Sequence, residues 1–292
     1  MRLLEALISA FMVAGLYATM SYGLALIYGV MKIINLANAG SMMLGSFLTF
    51  FIWQTFGLDP LLCVIIVAPV FFLIGAFIET AFVRRVTNEK PVISLLLLFG
   101  ILLVMQAGAS FFLGGDVRSV RPAYIKEVIH LGDVTIAWNR LLVFISGAVI
   151  LVMLELFMRR TYLGRAIRAL AQDRDACRLA GIDVNRVSMI AFGLGTALAG
   201  AAGALLTLVF PFDPTNPYGI LQLKSFTIIV LGGLESIPGV AIASFVLALA
   251  ENITVTVSKP QLENLVSFVL LVVVLVVMPG GLAAVIKRRR LS

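Results

Sequence analysis

The sequence predicts an all-α integral membrane protein with about eight transmembrane segments, two of them interrupted, in inverted-repeat-like halves. Three observations carry this reading. First, 61% of the residues are hydrophobic and 13% are charged, against roughly 25% charged in soluble domains, so a soluble fold would have no polar surface to turn to water. Second, the apolar residues fall into runs close to the roughly 20 residues that cross a bilayer core. Third, lysines and arginines gather at the ends of those runs. The net charge of +7 therefore reads as membrane orientation and not as a nucleic-acid footprint.

The runs are 6–30, 36–56, 61–83, 91–113, 140–158, 187–211, 220–251 and 262–286. The first is apolar from Leu3 to Met31 except at Glu5. That exceeds a signal-peptide core and reads as an uncleaved span. The seventh is too long for one helix and is broken by Gly232, Gly233, Pro238 and Gly239. Positive charge marks 84–90 (Arg84, Arg85, Lys90), the arginine-rich 159–186, and the tail Lys287–Arg290. The positive-inside rule puts all three in the cytoplasm. The N-terminus, 114–139, 212–219 and 252–261 then lie outside, and 1–292 reads as one transmembrane domain. Cys63 falls in an apolar run and Cys177 in a polar stretch, which argues against a disulfide. His130 is the only histidine, so neither a metal centre nor a convergent catalytic set is expected.

In the periplasmic loop 114–139, the alternation of Val128, Leu131, Val134, Ile136 and Trp138 predicts a short hairpin around Gly132-Asp133. It would act as a lid or spacer, or meet a solute-delivery partner. The cytoplasmic stretch 159–186 predicts two short helices and a turn. Thr161 to Gln172 are good helix formers, Asp173 caps a second helix, and Asp175 lies near its positive end. Gly181 supplies a left-handed terminus and Asp183 caps the next helix. Leu163, Ile167, Leu170, Cys177, Leu179 and Ala180 form an apolar side, and small residues beside it suit docking into a groove on another protein. The alternative is a solvated loop whose arginines only set topology.

Backbone leaves helical geometry at membrane depth only where protein or a water-filled path satisfies it. Two stretches look so interrupted. Residues 29–47 carry Asn35, Asn38, Gly40 and Ser41; residues 230–245 carry Gly232, Gly233, Glu235 and Ser236. Paired interruptions in two halves point to a transport pathway, and asparagine both donates and accepts. These eight residues are the candidate pathway; the alternative is ordinary cytoplasmic turns. Glu235 must face water, a partner or the pathway. Lys32 and Lys224 are expected to snorkel to an interface without a specific salt bridge. The small residues of the sixth run (Gly193, Gly195, Ala197, Ala199, Gly200, Gly203) serve close helix packing, internal or between subunits.

The stretch LGRAIRALAQDRDACRLAGIDVNRVSMIAFGLGTALAGAAGALL, with LGGLESIPGVAIAS and VLLVVVLVVMPGGL, resembles LivH-type permeases of branched-chain amino acid ABC importers along nearly the whole chain. The resemblance implies that 159–186 holds a coupling helix that docks on a separate ATPase, through Gly164, Arg165, Arg168, Asp173, Ala176, Ala180 and Gly181. It also implies a second, LivM-like permease, two LivG/LivF-like ATPase subunits, a periplasmic solute-binding protein and a bacterial inner membrane. ATP and Mg would then be held by the partners, with no cofactor on this chain. In agreement, none of its lysines follows a glycine, as a P-loop requires. One motif departs from the family. Where LivH-type permeases usually carry Asn-Phe-Ala-His-Gly and an acidic residue, this chain has Asn35-Leu36-Ala37-Asn38-Ala39-Gly40. The solute expected is a branched-chain amino acid or a related amino acid, amide or carboxylate. The alternatives are a self-sufficient secondary transporter or channel, and an integral-membrane enzyme.

Overall fold

The computed structural model describes residues 2–87, 89–131, 134–214, 218–233, 236–257, 260–278 and 281. Glu235, the hairpin turn at Gly132-Asp133 and the basic tail 287–290 lie outside the described residues. The apolar runs form helices, because a chain in hydrocarbon must satisfy its backbone from within. The first half holds α1 (Arg2–Met31), α2 (Ala37–Phe56), α3 (Pro60–Ile78), a π-helical turn (Glu79–Val83), α4 (Arg84–Val86) and α5 (Pro91–Leu113). Then come a hairpin, β1 (Val128–Leu131) and β2 (Val134–Ala137), and α6 (Trp138–Arg160). Two short helices follow, α7 (Tyr162–Gln172) and α8 (Arg174–Leu179). The second half holds α9 (Val184–Leu206), α10 (Tyr218–Gly232), α11 (Ile237–Val257) and α12 (Glu263–Val277).

Local signals fix the ends. Gly57 closes α2 in the left-handed region at φ 66°. Asp59 caps α3, accepting from the Leu61 amide at 2.8 Å, with Pro60 in the first turn. The expected hairpin forms with Val128 opposite Ala137 and Leu131 opposite Val134. The same loop is tied down twice more. Arg118 and Phe212 exchange backbone hydrogen bonds of 2.8 and 2.9 Å. The Tyr124 hydroxyl donates to Asp59 Oδ1 at 3.0 Å, and burial, then that bond and charge, raise the phenol's pKa.

The packing has an internal two-fold logic. α3 lies along α9 as α11 lies along α1; α2 packs on α3 and α5 as α10 packs on α11 and α12; α1 and α9 meet at the centre. Exchanging α1, α2, α3, α5 for α9, α10, α11, α12 preserves these contacts. With the sidedness set by the positive charges, α1 runs inward and α9 outward, so the repeats are inverted. α6 joins the repeats in sequence and packs on α1.

This correspondence corrects one detail of the sequence reading. The break after α1 is matched by the connection that follows α9, and the α10–α11 break by the α2–α3 connection. The two sequence interruptions are therefore not equivalents of one another. α10 has 15 residues, about 22 Å of helix, short of a roughly 30 Å hydrocarbon core. The seventh run accordingly splits into α10 and α11.

The small residues of α9 serve internal packing. A Cβ on Gly200 would meet the Phe71 ring at 2.5 Å, and one on Gly203 would meet the Met42 carbonyl oxygen at 2.0 Å. Outward-facing Leu, Ile, Val and Phe on α3, α5, α6 and α12 are exposed, as lipid contact requires.

Candidate functional site

The break after α1 begins at Lys32, whose left-handed backbone (φ 57°) stops the helix. The chain reaches Asn35 and then α2, whose second residue is Asn38. Both asparagines are buried. Gln222 on α10 reaches across, donating from Nε2 to the Asn35 carbonyl oxygen at 3.1 Å. Yet Asn35 Oδ1, both polar atoms of Asn38, Gln222 Oε1 and Ser225 Oγ find no hydrogen-bond partner in the described protein. Each such buried group costs about 1–3 kcal/mol. Five of them, on α2, the break that leads into it and the facing helix α10, are a poor structural device and a good polar receptor. The sequence reading singled out Asn35 and Asn38 but not Gln222 and Ser225. Their signal was the polar residues Gln222, Lys224 and Ser225 inside an apolar stretch.

Gly40 and Ser41 are placed differently. A Cβ on Gly40 would meet the Met105 sulfur of α5 at 2.7 Å. The Ser41 hydroxyl donates to its own helix at the Ala37 carbonyl, 3.1 Å away. At the other break, Gly232 and Gly239 are back to back, and a Cβ on Gly239 would lie 2.0 Å from the Gly232 carbonyl oxygen. Gly233 has φ 95°, and the Ser236 hydroxyl accepts from the Gly239 amide at 3.1 Å. Gly281 closes on this turn: a Cβ there would sit 2.6 Å from the Gly233 nitrogen. α10 links the two groups, carrying Gln222 and Ser225 and ending at Gly232.

Toward the outer side, Lys224 does not snorkel. It is 4% exposed and held by Glu263 Oε1 at 2.6 Å, the Tyr17 hydroxyl at 2.9 Å and Glu251 Oε2 at 3.1 Å. Tyr17 donates to the same Glu251 oxygen at 2.6 Å, and Ser267 donates to the other. A cation buried this far from water persists only with opposite charge beside it. α11 and α12 supply that charge. The sequence expectation of no specific salt bridge is thus overturned for Lys224.

The cytoplasmic segment folds as its caps dictate. Thr161 accepts from the Gly164 amide at 2.9 Å; Asp173 accepts from Asp175 and Ala176 at 2.9 Å; Asp183 accepts from Arg186 at 3.0 Å. Gly181 has φ 76° and open space around it. The apolar side divides in two. Ile167, Leu170 and Cys177 are buried in this chain, as is Gly164, where a Cβ would lie 2.4 Å from the Phe157 carbonyl oxygen. Arg165, Arg168, Asp173, Ala176, Ala180 and Gly181 are exposed, and Leu179 is 91% exposed.

Comparison with known proteins adds to this geometry. The family model "Branched-chain amino acid transport system / permease component" matches residues 6–275. The chain is 31% identical to the high-affinity branched-chain amino acid transport system permease protein LivH of Escherichia coli (strain K12), covering 91% of this chain and 90% of LivH. It is 30% identical to the corresponding permease protein BraD of Pseudomonas aeruginosa, covering 96% of this chain and 95% of BraD. A partial match, 32% identical, reaches the permease protein LivM of Escherichia coli over 39% of this chain and 28% of LivM. No solved structure matches.

Proposed function

From the premise that this chain belongs to the family of branched-chain amino acid transport system permease components, we propose that it carries a branched-chain amino acid, or a close amino acid or amide relative, past the unpartnered amides between α2 and α10. It is a multi-pass membrane permease of the ABC importer class and not an enzyme. The self-sufficient transporter reading gives way to family membership. The observation that carries the pathway reading is the set of buried, unpartnered polar atoms on Asn35, Asn38, Gln222 and Ser225. A solute ammonium, carboxylate or amide passing there would find acceptors and donors without stripping them from other partners.

The break at Gly232, Gly233, Glu235 and Ser236 is the inner end of that path in this reading, and Gly40 and Ser41 hold its wall. Motion would come from below. The exposed face of α8 and its turn, with Ala176, Leu179, Ala180 and Gly181, docks on an ATPase subunit. Arg165, Arg168 and Asp173 flank the contact, and Gly164 seats α7 on the permease. ATP and Mg belong to two such partner subunits. The other partners are a second, LivM-like permease and a solute-binding protein on the outer face, at a bacterial inner membrane.

The test is uptake of radiolabelled leucine by proteoliposomes holding the complete transporter. The reading expects uptake that needs ATP inside, needs the binding protein outside and falls sharply in the Asn38→Leu variant. Uptake that proceeds without ATP contradicts it.

A further inference from the structure

The Lys224 network borders a cavity of about 580 Å³ on the outer side of the bundle. That volume suits a small-molecule ligand. Its charged lining residues are Glu251, Glu263 and Arg140. Among the described residues Glu251 and Glu263 share the single cation Lys224, so two carboxylates on this wall face one described positive charge. Arg140 lies in the first turn of α6 and donates to the Ser9 hydroxyl at 2.8 Å. Among the described residues it makes no ion pair. Among the described residues the lining is thus divided in sign, with carboxylates from α11 and α12 and a guanidinium from α6. Val13, Phe210 and Val255 supply an apolar wall.

We propose that this cavity is an outer subsite for an amino-acid zwitterion, which rests on the reading of the chain as an amino-acid carrier. The α-ammonium pairs with the Glu251–Glu263 wall, the α-carboxylate with Arg140, and the side chain lies on Val13, Phe210 and Val255. A ligand with one charge leaves the opposite wall unmatched. The same carboxylates bind Lys224 of α10, the helix that carries Gln222 and Ser225, so an arriving ammonium competes with Lys224 at the top of the pathway.

The experiment uses right-side-out vesicles with the complete transporter, the T256C variant in a background lacking Cys63 and Cys177, and a membrane-impermeant cationic methanethiosulfonate. Thr256 lines the cavity. L-leucine should slow modification severalfold. Leucinamide, with only the ammonium, and 4-methylpentanoate, with only the carboxylate, should not. Adding Arg140→Gln should abolish protection without slowing the unprotected reaction, since loss of a cation from the lining can only favour a cationic reagent, and an undiminished rate shows that the cavity still forms. The proposal is overturned by no modification from outside, by no protection by leucine, or by equal protection from either one-charge analogue. Leucine uptake by the same vesicles separates the two readings. Intact uptake without protection sinks the subsite alone; absent uptake without protection sinks the carrier reading with it.

Discussion

Gly23 and Gly195 face each other where α1 crosses α9, at the centre of the two repeats. A Cβ on Gly23 would lie 2.4 Å from the Gly195 carbonyl oxygen, and one on Gly195 would lie 2.6 Å from the Gly23 carbonyl oxygen. The contact is reciprocal, as expected near an internal two-fold. Neither partner can yield, because both opposing atoms are backbone. Gly195→Val should therefore destabilise the purified permease by about 1–3 kcal/mol or more, read as an earlier unfolding midpoint in an SDS titration. Val at Gly100, where an added Cβ would meet nothing within 4 Å beyond its own helix backbone, serves as the control.

Lys224 binds α10 to α1, α11 and α12 through Tyr17, Glu251 and Glu263. Lys224→Met leaves Glu251 buried without its cation and should cost about 3–5 kcal/mol. The double variant Lys224→Met/Glu251→Gln should recover part of that loss in the same titration. A double variant as unstable as the single would mean that packing, not charge, dominates at this site.

Asn38 has no partner for either of its polar side-chain atoms. Replacing it with leucine removes an unmet demand, so stability should hold or rise by about 1–2 kcal/mol. Uptake should nevertheless fall, with membrane abundance unchanged on an immunoblot. Unchanged uptake would remove Asn38 from the pathway.

Leu179 has no intramolecular role at 91% exposure. Leu179→Glu should move stability by no more than about 0.5 kcal/mol while ATPase subunits are lost on affinity purification. Asp173→Ala acts differently. It removes the α8 cap and costs about 1 kcal/mol, loosening the helix that presents Leu179, so ATPase retention should weaken without vanishing.

Features set by near neighbours in the chain were the most legible. Asp173, Gly181 and Asp183 act as the caps and turn their types imply, because a cap is decided within three or four residues. The apolar runs became helices for an equally local reason. The α1–α2 break was placed only approximately: the interruption is Lys32–Leu36, a stretch without glycine or proline, while Gly40 and Gly45 lie inside α2. Glycine in a membrane helix marks either a break or a close approach to another helix, and only the neighbour decides which. For Gly45 the neighbour is Gly200, whose carbonyl oxygen an added Cβ would meet at 2.5 Å. The Lys224 network was not legible, since it joins residues as far apart in sequence as Tyr17 and Glu251. Gln222 and Ser225 became candidates only once α10 was seen to pack on α2.

The central claim, that this permease works as one subunit of an ATP-driven importer, is tested most directly by purifying the tagged chain from native membranes in mild detergent and identifying what accompanies it. The account predicts a second, related permease and P-loop ATPases, with the ATPases lost when Leu179 is changed to Glu. A chain that emerges alone, or as a homo-oligomer that moves leucine into liposomes without ATP, would contradict it.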